Sequence, residues 1–223
     1  MKVILYAIAI GILLGSAVGV ALSVSFPGLQ PVVNSGIALE DTGLIFIKNA
    51  LLVTLIAFGG IIFSLLEIRF HKSRKAYYAL DRTVSPLYSV LGRFCPAYRS
   101  LGLFYRSIYL SLKAFPAICI FLVFFTISLY FAVFLLLLEG AASLLFNLVP
   151  HIALELYAFA SSAALALQFS APLRKRVMAK DIEGFWLEAK EMLVSRGVWW
   201  RMAWLYFVLL AAAFMELVFI SGI

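Results

Sequence analysis

The sequence predicts an all-helical, polytopic membrane protein of about five transmembrane helices joined on one side by amphipathic helical connections. Three observations carry this. Of 223 residues, 65% are hydrophobic and 13% charged, with a mean hydropathy of +1.06, whereas about a quarter of the residues of a soluble domain are charged. The apolar residues gather in runs of about twenty, the length a helix rising 1.5 Å per residue needs to cross about 30 Å of hydrocarbon. The basic residues fall almost wholly into alternate connections between those runs. A water-soluble enzyme is excluded, and residues 1–223 read as one integral membrane domain in which any chemistry sits on or between the spans.

Five runs qualify as spans, at about 3–24, 42–66, 114–138, 148–169 and 199–221. The first exceeds the 7–15 apolar residues of a secretory signal and is read as a span. It carries Gly11, Gly15 and Gly19, with Ala7 one step earlier, a row at four-residue spacing that lets another helix backbone approach closely. The partner is another span of the same chain or a second copy in a homodimer, and contact within the chain is the preferred reading. Ala160 to Ala164 and Ala211 to Ala213 offer the same use in the fourth and fifth spans. Pro27, Gly28, Pro31 and Gly36 predict an irregular first outer connection, and Gly140, Asn147 and Pro150 a second. Trp199, Trp200 and Trp204, at the start of the last span, are expected as interfacial anchors.

Loop charge sets the expected orientation. Seventeen of the eighteen Lys and Arg residues, all but Lys48, lie at the amino end, in the connection between the second and third spans, or around the connection between the fourth and fifth. By the positive-inside rule these are cytoplasmic, so the amino terminus is inside and the carboxyl terminus outside a cell membrane. The formal charge of +7 is therefore read as a topology signal, with membrane lipid and not nucleic acid as its partner. Tyr98-Arg99-Ser100, Tyr105-Arg106-Ser107 and Leu112-Lys113 recur at seven-residue intervals. They predict a helix that lies at the headgroups or extends the third span. Asp181, Glu183, Glu188 and Glu191 among the bases of the last connection predict an amphipathic surface helix. Cys95 and Cys119 fall in different settings and predict neither a disulfide nor a metal site.

Ionisable residues inside spans are costly and face other helices or a wet cavity. Lys48, with Asn49 beside it, lies in the second span, His151 and Glu155 in the fourth and Glu216 in the fifth. At 1.5 Å per residue the two glutamates and the lysine each lie about 8–9 Å below the outer boundary, so three helices place polar groups in one layer. His151 and Glu155 share a face at four-residue spacing, and Pro150 suits the first turn of their helix. Lys48 is expected to neutralise one carboxylate, and His151 or Asn49 to hydrogen-bond the other. The layer reads as a tie between helices, as an outward-opening site for an ion, a proton or a lipid headgroup, or as a metal site of His151, Glu155 and Glu216. No P-loop, GxSxG, HExxH or GxGxxG motif occurs, and neither a catalytic residue nor a cofactor is expected.

At these same positions the chain resembles the stage II sporulation protein M family of integral membrane proteins. The resemblance rests on Phe46-Ile47-Lys48-Asn49-Ala50, on Pro150-His151-Ile152-Ala153-Leu154-Glu155-Leu156 and on Ala212-Ala213-Phe214-Met215-Glu216. The family pattern has glycine after the histidine, where this chain has Ile152, and glycine-rich positions where it has Ser161 and Ser162. The resemblance implies a cell-membrane protein of about five spans that is no recognised enzyme. It also implies a scaffold of the kind that recruits peptidoglycan-degrading proteins during engulfment in spore-forming bacteria. The expected function is a non-enzymatic membrane scaffold with membrane or extracytoplasmic protein partners. A transporter or channel-like module at His151, Glu155 and Glu216 is the first alternative, and an intramembrane metal-dependent enzyme the second.

Overall fold

Six helices and no strands make up the described residues of the computed structural model, which are 2–25, 39–71, 101–137 and 141–221. They are α1 (Lys2–Ser25), α2 (Leu39–His71), α3 (Leu103–Leu137), α4 (Ala141–Met178), α5 (Ile182–Val194) and α6 (Arg196–Ser221). All but α5 are long and apolar enough to cross a membrane. Only helices satisfy every backbone N–H and C=O within one segment of a lipid-exposed chain, which is why apolar runs of this length fold this way. α2 and α4 form the central pair, with α3 packed against both on one side and α6 against both on the other. The core between them holds Val53, Ile56, Ile120, Ala158, Leu173 and Leu209. Large apolar side chains such as Leu13, Leu51 and Phe207 point outward, a surface suited to acyl chains and not to water.

α1 lies outside this group, on α3. The glycine row makes the contact. A Cβ added at Gly11 would sit 2.8 Å from the Phe121 carbonyl oxygen and one at Gly19 would sit 2.8 Å from that of Leu129, while one at Gly15 would run into the Phe125 carbonyl. The partner of the row is therefore a helix of the same chain, held by close backbone approach where lipid supplies no hydrophobic drive between helices. Gly60 does the same for α2, where a Cβ would stand 2.6 Å from the Ser111 carbonyl oxygen of α3.

Several boundaries differ from those expected. α3 begins at Leu103 and not near Ala114, so Arg106 and Lys113 extend the third span; Tyr98 to Ser100 lie outside the described residues, as do Cys95 and the connection from Pro27 to Gly36. α4 begins at Ala141, which puts Asn147 and Pro150 inside a helix and makes Pro150 an interior residue, not a first-turn one. The good helix formers that start the segment carry the helix through the proline, at the loss of one backbone hydrogen bond. Pro116 and Pro172 are likewise interior. α6 starts at Arg196, slightly before the expected Trp199.

The expected surface helix is α5, which buries Phe185 and Ala189 and exposes Leu187, Lys190 and Glu191. Its start is tightly built. Lys180 takes a left-handed conformation with φ 58°; its N–H reaches the Val177 carbonyl at 3.0 Å, and that of Asp181 reaches Arg176 at 3.0 Å. That pair of bonds closes α4 in the geometry usually given to glycine. Asp181 then caps α5 by accepting from the Gly184 N–H at 2.8 Å, while Arg176 pairs with Asp181 at 3.0 Å and Glu188 at 2.9 Å. Lys180→Gly is expected to stabilise the protein by about 0.5–1 kcal/mol by relieving the left-handed backbone. Asp181→Ala should cost about 1 kcal/mol, mostly the lost cap, since the ion pairs are exposed. Thermal unfolding in detergent reads both, and a fall for Lys180→Gly would contradict the assignment.

Candidate functional site

The polar residues of three spanning helices converge in part. On α2, Asn49 turns inward and its Nδ2 donates to Glu155 Oε1 of α4. Glu216 of α6 is half-buried and close enough to act electrostatically on Glu155. The amide–carboxylate bond thus joins α2 and α4, and Glu216 of α6 brings a second carboxylate near it without bonding to it among the described residues. His151 stands one turn before Glu155, buried, and its Nδ1 has no hydrogen-bond partner among the described residues.

Lys48 does not take part. Consecutive helix residues point about 100° apart, so the turn that aims Asn49 at Glu155 sends Lys48 to the exposed face. Among the described residues its ammonium forms no ion pair, and both ion pairs found belong to Arg176. The expected neutralisation of a carboxylate by Lys48 is replaced by hydrogen bonding from Asn49. Nor do His151, Glu155 and Glu216 come together as a ligand set: among the described residues no group of three His, Cys, Asp or Glu side chains is placed to hold a metal ion. What the arrangement can do chemically is tie helices, or accept a proton or a small cation at the carboxylates.

Three further polar contacts lie at other depths, none of which hydropathy or spacing singles out. Thr54 donates to the Ala50 carbonyl at 2.7 Å, and its oxygen lies 2.8 Å from the Tyr206 hydroxyl. Because the threonine proton is used on Ala50, Tyr206 is the donor. This α2 to α6 bond floors a groove of about 320 Å³ between Phe46, Leu51 and Tyr206. Nearer the other end of α2, Glu67 accepts from Ser107 of α3. Glu67 was legible only as a loop residue because the expected span ended at Leu66. Extending the helix by one turn puts it on the face of Ser64, which is buried. At that same end of the bundle, Arg201 of α6 donates to Gln168 of α4 at 3.1 Å. Compared with known proteins, the chain matches no family model, no curated protein and no solved structure.

Proposed function

We propose that the protein is a non-enzymatic, multi-pass scaffold of the cell membrane, similar in kind to the stage II sporulation protein M family, with its amino terminus in the cytoplasm and its carboxyl terminus outside. The observation that carries the reading is the bond from Asn49 to Glu155 with Glu216 alongside. A polar tie between α2 and α4 fixes their arrangement where dispersion alone leaves several packings close in energy. The placement of seventeen of the eighteen basic residues supports the orientation. In this reading the outer connections recruit membrane or extracytoplasmic proteins and the basic face holds anionic lipid. Active alkaline phosphatase fused after Ile223 is the result expected; an inactive fusion reverses the topology.

One observation favours a second reading, an ion or headgroup site at His151, Glu155 and Glu216: the buried Nδ1 of His151, one turn from Glu155 on α4, has no partner among the described residues. Glu155→Gln and His151→Asn separate the two. For a scaffold, each lowers the unfolding midpoint in detergent by about 2–4 °C, the shift that about 1 kcal/mol gives in a chain of this size. Unchanged midpoints with loss of proton or cation uptake in proteoliposomes would replace the scaffold reading by the transport one.

A further inference from the structure

α4 and α6 run antiparallel, and their outward faces leave a groove of about 460 Å³ whose walls include Tyr157, Ala164, Trp200 and Trp204 and whose rim carries Arg201. Small residues at Ser161 and Ala164 open it, and Trp200 and Trp204, one turn apart, stand well exposed along one side. From Leu165 to Tyr157 the groove follows α4 for about 12 Å, with Gln168 about one turn beyond it at the end that carries Arg201. It is apolar along its length and charged at one end.

The charged end is built. Arg201 gives one N–H to Gln168 Oε1, which fixes the guanidinium across the groove and leaves its other donors free to bind. No acid pairs with it among the described residues. Arg196 lies one turn before Trp200 on α6, and Lys175 lies two turns beyond Gln168 on α4; both are exposed, and neither is in an ion pair among the described residues. An arginine on an apolar, tryptophan-lined surface belongs at headgroup depth, where its fork matches a phosphate.

We propose that this groove is a binding site for one anionic glycerophospholipid, its phosphate on Arg201 and one acyl chain laid between Trp204 and Ala164, in the leaflet on the side of the basic connections. Excess positive charge selects a net-negative headgroup over a zwitterionic one. Tyr157 lies two residues from Glu155, but lipid selectivity at Arg201 does not depend on the Asn49–Glu155 bond, so the site stands or falls independently of the function proposed above.

Quenching of tryptophan fluorescence by brominated lipid tests it, in vesicles mixing phosphatidylglycerol and phosphatidylcholine with one lipid brominated at a time. Wild type is expected to favour brominated phosphatidylglycerol about tenfold, Arg201→Lys to keep part of the preference, and Arg201→Gln to lose it. Equal quenching by both lipids, or a preference unchanged in Arg201→Gln, overturns the proposal. So does disulfide cross-linking of Ser161→Cys to a second copy that anionic lipid does not suppress. If Arg201→Gln does not fold, native mass spectrometry of the wild type decides. Selective retention of phosphatidylglycerol from an equimolar mixture supports the site, and indiscriminate retention rejects it.

Discussion

Gly15→Leu is expected to cost about 3 kcal/mol or more and to separate α1 from α3. Overpacking usually costs about 1–3 kcal/mol because side chains can shift. Here the obstacle is the Phe125 backbone, with its carbonyl oxygen, carbonyl carbon and Cα all in the path of a Cβ. Neither helix can yield locally, so α1 must move away as a rod, and the close contacts at Gly11 and Gly19 are lost with the one at Gly15. Gly15→Ala should act in the same direction with a smaller effect. Cys119 on α3 is a free, half-buried thiol, and its rate of labelling on heating, with Cys95 replaced by Ser, reports the transition. Leu13→Ala is the control, since Leu13 is 70% exposed. An unaltered midpoint for Gly15→Leu would mean that the glycine row is not the contact.

Breaking the central tie should have the next largest effect. Glu155→Leu leaves the half-buried Asn49 amide without its acceptor, and Asn49→Leu does the converse to the carboxylate; each should cost about 1–3 kcal/mol. Because both substitutions remove the same bond, the double variant should be little worse than either single one. A coupling of about 0.6–1.7 kcal/mol is expected, the range for hydrogen bonds between membrane helices. Unfolding free energies from detergent titration supply the cycle. Strict additivity would mean that Asn49 and Glu155 do not interact. Lys48→Met should fall within about 0.5 kcal/mol of wild type, since Lys48 is exposed and unpaired among the described residues.

These residues also mark how far the fold and the site were legible in the sequence. Span number and approximate position follow from apolar length alone, because bilayer thickness sets the ruler. The glycine row could be read because only small side chains permit the approach seen at Phe121 and Leu129. Glu155 and Glu216 were visible because charge is rare at that depth. Lys48 misled for the same reason, since rarity gives depth but not the direction of a side chain around its helix. Thr54, Tyr206 and Gln168 were not visible as partners because neutral polar residues barely disturb hydropathy, and their bonds join positions far apart in sequence. Pro150 read as a boundary because proline resists the helix interior, yet a chain in lipid has no water with which to satisfy an interrupted backbone, and α4 continues through it. The role of the assembled layer carries no local motif, since holding helices together requires no particular chemistry beyond donors and acceptors that meet.

Resting α1 on α3, and on little else, has a bearing on how the protein is made. At about 5–20 residues per second, α1 leaves the ribosome several seconds before its grooved counterpart exists. During that interval it must persist in the bilayer as a solitary rod, its glycine stripe facing lipid. Biogenesis therefore requires the segment to insert without assistance from its eventual partner.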